Sequence, residues 1–157
     1  MSNNRRIGRE YALKILFALK YETNSVSADR ILEQFWKNFR FSDDVLGEPL
    51  DADAPPLAQT VRQFTEQLVR GVLEYRPLLD RHIGEAAQNW SLARMSAVDL
   101  ALLRIATFEL LFQPDIPVAV TLNEAIEIAK RYGTKDSPNF INGLLDKIAR
   151  NAAVVKA

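Results

Sequence analysis

The chain contains no cysteine. That absence removes disulfides, thiol nucleophiles and thiolate-bound metals together, and it fits a reducing cytoplasm. Histidine is nearly absent as well, with His82 the sole one in 157 residues. Without a second imidazole or a thiol, His82 would need carboxylates alone to complete a metal site, so a surface or half-buried structural residue is the simpler reading. Among six glycines there is neither a phosphate-cradling loop nor a Gly-x-Ser-x-Gly elbow. The N-terminus lacks an apolar core followed by a small-residue cleavage site. The most apolar segment, residues 97–112, is broken by Asp99, Arg104 and Glu109 and is too short to cross a bilayer. Net charge is missing too: 20 Lys and Arg balance 20 Asp and Glu, which argues against strong bulk attraction to nucleic acid. The expectation is a soluble cytoplasmic protein with no cofactor, no metal, no membrane contact and no catalytic residues.

What is present is an ordinary globular composition, 48% hydrophobic and 25% charged, long enough to bury its own core as one compact domain. Apolar residues recur at three-and-four spacing with no sustained alternation, which predicts an all-α fold of about seven helices. The first, residues 6–21, turns Ala12, Ile15, Leu16 and Leu19 inward; the second follows Ser27, a suitable N-cap, with Ile31, Leu32, Phe35, Trp36 and Phe39 inward. Residues 41–57 carry Asp43, Asp44, Glu48, Asp51 and Asp53 with Gly47, Pro49, Pro55 and Pro56, the composition of an exposed acidic loop. A third helix over 57–75 is expected to end or kink at Pro77, before a short fourth over 78–88. Ser96 to Asp99 reads as a capping box opening a fifth helix that is apolar almost all round and so central. Thr121 to Glu124 reads as a second capping box, opening a sixth helix that stops at Gly133 in a left-handed cap. Ser137-Pro138 starts the seventh. Glu124 and Glu127 share a face, but capping and solvation account for them better than paired-carboxylate chemistry does.

Charge is segregated along this framework. Up to Glu22 the bases Arg5, Arg6, Arg9, Lys14 and Lys20 oppose only Glu10 and Glu22. On a helical wheel Arg6, Leu13 and Phe17 share a sector away from the Ala12-Ile15-Leu19 stripe, flanked by Arg9 and Lys20. Two readings fit: arginines on phosphates with an aromatic ring stacking on an unpaired base, or apolar side chains packing on another helix while the arginines reach water. The turn from Tyr132 to Phe140 gathers Lys135, Asp136, helix-start amides and Phe140. It fits a phosphate-facing site and equally a well-made helix connection.

The C-terminal half carries Asn89-Trp90, Arg94, Asp99, Leu103-Arg104-Ile105-Ala106, Glu109-Leu110 and Pro117. Beyond these come Asn123-Glu124-Ala125, Tyr132-Gly133, Asp136-Ser137 and Phe140-Ile141-Asn142-Gly143-Leu144-Leu145-Asp146. Together with Arg5-Arg6, Arg9-Glu10, Ala12 and Leu16-Phe17, this pattern resembles the NusB family of transcription antitermination factors. The resemblance spans nearly the whole chain and is weakest between residues 23 and 80.

The resemblance implies two helical-bundle subdomains, about residues 1–76 and 77–150, packed as one domain. It implies binding of the boxA element of ribosomal RNA leader transcripts together with NusE, a small-subunit ribosomal protein, in a complex that joins elongating RNA polymerase. Carried over residue by residue, RNA contacts fall on Arg5, Arg6, Arg9, Phe17, Lys135, Asp136 and Phe140, and partner contacts on Glu85 and Asp99, the latter also a helix cap. A sparse N-terminal basic run and an enlarged acidic loop depart from the family pattern, and the former implies weak RNA binding without the partner. The alternative is a helical interaction module that forms a homodimer and binds no RNA. An enzymatic reading, drawn from family domains fused to RNA methyltransferases, fails because the catalytic domain and its cysteines are missing here.

Overall fold

A computed structural model describes residues 2–19, 27–38, 59–88 and 90–156. Among these residues the chain is all-α: α1 (Ser2–Ala18), α2 (Ala28–Asn38), α3 (Gln59–Ala87), a 3₁₀ turn at Leu92–Arg94, then α4 (Ala97–Phe112), α5 (Val118–Tyr132) and α6 (Ser137–Lys156). The expected loop at 41–57, residues 20–21 and Phe39 lie outside the described residues. The chain divides into two compact units, Met1–Arg70 and Gly71–Ala157.

Among the described residues six helices stand where seven were expected, because α3 runs unbroken through Pro77. An interior proline forfeits one backbone hydrogen bond and crowds the preceding turn, at about 3 kcal/mol. That cost is outweighed by burial on either side of it: Leu68, Val69, Val72, Leu79 and Ile83 are at most 1% exposed, and each large apolar side chain so buried returns roughly 1.5–3 kcal/mol. Gln88 closes the helix with φ 47°, donating its amide to Gly84 O at 3.1 Å. This is the left-handed ending that glycine usually supplies.

In the first unit α1 lies against the start of α3 at Gly8. The Thr65 hydroxyl sits 2.8 Å from Val61 O and 3.3 Å from Gly8 O. A Cβ on Gly8 would come within 2.8 Å of the Phe64 ring, so the missing side chain sets how closely the helices approach. Trp36 of α2 meets Tyr11 of α1 edge to face at 6.2 Å and donates from Nε1 to Glu66 of α3 at 2.8 Å.

In the second unit α4, α5 and α6 pack on one another. As its all-round apolar sequence requires, α4 is central, buried at Ala101, Leu102, Leu103 and from Ile105 to Leu110. Ser96 caps it by accepting from the Asp99 amide at 3.1 Å. The rest of α3 meets α4 where the Phe108 ring covers Gly71, Tyr75 stacks on Phe112 at 4.4 Å, and Arg104 grips Asp80 with two bonds of 2.8 and 3.0 Å.

Two expectations about helix ends need correction. α5 starts at Val118 behind Pro117, not at Thr121. Pro117 fixes the chain's entry, and Thr121, one turn in, instead donates its hydroxyl to buried Glu109 at 2.9 Å, a better use for a hydroxyl that is 2% exposed. Gly133 is extended rather than left-handed, with φ −92° and ψ −167°. Its glycine is required by proximity, since a Cβ would stand 2.5 Å from Ser137 Oγ and 2.9 Å from Ala129 O.

Candidate functional site

The candidate residues fall in both units. In the first, Arg5 and Arg9 each hold a guanidinium 5.4 Å from the centre of the Phe64 ring. Arg5 is exposed and the adjacent Arg6 half-buried, whereas Arg9 is 3% exposed. A cation on an aromatic face gains about 0.5–2 kcal/mol, more as water is excluded, so Phe64 anchors the basic end of α1. Phe64 was not among the site residues expected from the sequence. Its role was hidden because its arginine partners lie more than fifty positions away in sequence.

The outward face expected on α1 is not present in its middle. Leu13 is 0% exposed, Lys14 2% and Tyr11 6%, alongside Ala12 and Ile15. A helix buried on every side has no solvent sector, and the wheel could not reveal this because it shows which residues share a side and not how many sides are covered. Phe17 is half-buried. The first unit also has a cleft of about 400 Å³ between α2 and α3. Its acids Asp29, Glu33 and Glu66 match its bases Lys37, Arg62 and Arg70. Arg70 pairs with Asp29, and Arg62 covers the Trp36 ring at 4.9 Å. With charges matched and the ring face taken, this cleft exerts no net pull on a phosphate.

In the second unit Lys135 and Asp136 are exposed on the turn between α5 and α6. Ser137 Oγ accepts from the Thr134 amide at 2.9 Å, and the Phe140 amide bonds Asp136 O at 3.1 Å, so the turn has one defined shape. Half-buried Phe140 meets Trp90 edge to face at 6.3 Å. Trp90 is 55% exposed. The sequence reading placed it beside Asn89 in the family pattern and gave it no site role.

Glu85 is exposed on α3. Asp99 is 8% exposed, and its Oδ1 has no hydrogen-bond partner; it sits in the first turn of α4, where a carboxylate faces the positive end of the helix dipole. His82 is half-buried. Among the described residues no cluster of His, Asp and Glu could hold a metal ion, and no helix is long and apolar enough to cross a membrane.

The sequence model of the NusB family matches residues 6–150. The chain is 54% identical over 156 residues to the transcription antitermination protein NusB of Syntrophotalea carbinolica, covering 99% of this chain and 98% of that protein. It is 48% identical to the NusB of Geobacter sulfurreducens, over 92% of this chain and 93% of that one. Among solved structures, NusB of T. maritima superimposes with a TM-score of 0.75 at 38% identity, covering 95% and 92% of the two chains. The chain belongs to the NusB family of transcription antitermination factors.

Proposed function

We propose that the chain acts in the cytoplasm by binding boxA-type single-stranded RNA of ribosomal RNA leader transcripts together with the ribosomal protein NusE, and through that complex acts on elongating RNA polymerase. Family membership supports the reading, and the basic end of α1 carries it: Arg5 is exposed and braced on Phe64 at 5.4 Å, a preorganised cation beside half-exposed Arg6. Bracing lowers the side-chain entropy lost when a phosphate is gripped. RNA contacts are assigned to Arg5, Arg6, Arg9, Phe17, Lys135, Asp136 and Phe140. Partner contacts are assigned to Glu85, which is exposed, and to Asp99, whose buried Oδ1 would gain a donor from the partner. The role is one of assembly, without catalysis.

Fluorescence anisotropy of a labelled boxA RNA, titrated with the chain with and without NusE, tests this directly. The expected result is weak binding alone and tighter binding with NusE. Absence of binding at low salt even with NusE would sink the proposal.

A second reading, a homodimerising interaction module indifferent to RNA, draws on the apolar side chains of the second unit that face water. Phe112 is 36% exposed, Val118 50% and Val120 41%. Light scattering across concentration, repeated with RNA present, separates the two: a stable dimer that ignores RNA would favour the module.

A further inference from the structure

One turn of α3 leaves two strong hydrogen-bonding groups unspent on the same side of the helix. The first follows from Pro77, which has no amide. The carbonyl of Leu73, four residues earlier in an unbroken helix, therefore loses its helical donor. The second is the guanidinium of Arg76. It makes no hydrogen bond among the described residues, and its ion pair with Asp80 spans 4.0 Å. Both oxygens of that carboxylate are already held by Arg104, at 2.8 and 3.0 Å, so one acid stands between two bases. Burial and the Arg104 charge hold the Arg76 guanidinium below its ordinary value, and Asp80 offsets them only in part. An arginine turned fully to water would meet neither penalty. Leu73, Arg76, Pro77 and Asp80 fall at i, i+3, i+4 and i+7, which is one side of a helix. Pro77 is exposed there, and the other three are half-buried.

A bare carbonyl and an unmatched guanidinium within one turn set an acceptor beside a cation. An acidic residue in an extended segment answers both: its backbone amide donates to Leu73 O and its carboxylate takes the planar fork of Arg76. We propose that this side of α3 is a docking site for an acidic segment of a protein partner, held by Arg76 and the free carbonyl of Leu73. None of these residues belongs to the RNA or NusE contacts. Nucleic acid fits the surface less well, because a strand is held by a run of bases along its phosphates. Here the cation is flanked by the carboxylate of Asp80 and by the apolar side chains of Leu73 and Pro77, a mixed surface suited to a peptide.

The test is nuclear magnetic resonance on the isotope-labelled full chain, titrated with a pool of acetylated pentapeptides that carry Asp at the centre and every residue at the flanking positions. The expected result is a set of shifts at residues 73–80, the Nε–Hε group of Arg76 among them, that the same pool with Asn at the centre does not produce. Arg76→Gln is expected to weaken binding about tenfold, the scale of a charge-assisted hydrogen bond. Pro77→Ala returns a donor to Leu73 O. It should raise the melting temperature while weakening peptide binding about fivefold, opposite signs that a purely structural proline would not give. An absence of shifts at residues 73–80, or affinity undiminished in both variants, overturns the docking site. Equal shifts from inorganic phosphate assign the surface to small anions, and equal shifts from an oligouridine RNA assign it to nucleic acid. Shifts that grow with the concentration of the chain alone assign it to a second copy. Each of these three results overturns the proposal likewise.

Discussion

Arg76 and Arg104 show how two like residues beside one carboxylate come to differ. Arg104 holds Asp80 with paired bonds of 2.8 and 3.0 Å, while Arg76 reaches the same carboxylate only at 4.0 Å. Burial first, and the neighbouring Arg104 charge second, hold the Arg76 guanidinium below its ordinary value against the weaker pull of Asp80. Arg104→Gln is therefore expected to cost about 1.5–3 kcal/mol of stability, the scale of charge-assisted hydrogen bonds. Arg76→Gln should change stability by no more than about 0.5 kcal/mol, since what it loses in attraction it regains in desolvation and repulsion. Urea unfolding of both variants checks this, and equal losses would mean the two arginines share the carboxylate evenly. For binding, the aromatic assignments predict that Phe17→Ala and Phe140→Ala each weaken boxA binding by about 1–3 kcal/mol, read by anisotropy; unchanged affinity in both would make these rings part of the core.

At the scale of the element, the helices expose which local rules were legible. Ser96 could be read as a cap because a serine three residues ahead of an acid satisfies a helix-start amide wherever the helix lies. The central place of α4 was legible because an all-round apolar helix has nowhere else to go. Pro77 and Gly133 were misread for a common reason: their local preferences compete with contacts that local sequence does not contain. The buried stripe of α3 outweighs the proline, and Gly133 answers to Ser137 rather than to its own φ. The glycines turn this into a prediction. Gly71→Ala gains about 1 kcal/mol of helix propensity but would place a Cβ 2.2 Å from the Phe108 ring; that ring is 5% exposed and has little room to yield. Overpacking of this kind costs about 1–3 kcal/mol, so net destabilisation is expected. Gly143→Ala has no neighbour to meet and should stabilise by about 0.5–1 kcal/mol, and Gln88→Gly should gain a similar amount by relieving its φ of 47°. Thermal unfolding of the three variants decides; a stabilised Gly71→Ala would show that Phe108 gives way easily.

At the scale of the whole molecule, the family, the all-α class and the order of the helices were legible because they depend on patterns spread along the chain. Of the candidate site, accessibility was legible in part. Arg5, Arg6, Lys135 and Asp136 are exposed or half-exposed as an RNA-facing role needs, but the wheel gave Arg9 an outward place where the structure buries it on Phe64. Accessibility depends on how many neighbours surround a helix, and that number is set by tertiary packing. The distinction carries into the salt dependence of RNA binding, where each phosphate contact to a single strand contributes about 0.7 to the slope of log affinity against log salt concentration. If Arg5, Arg6 and Lys135 make the phosphate contacts, the slope is about 2, shallow enough that binding at physiological salt relies on the partner. Arg9→Gln should then leave the slope unchanged while lowering the melting temperature, because that guanidinium stabilises Phe64 and not the RNA. Arg5→Gln should lower the slope by about 0.7. Titrations at several salt concentrations separate the two arginines, and a slope that falls in Arg9→Gln as it does in Arg5→Gln would show that Arg9 leaves Phe64 for a phosphate when RNA binds.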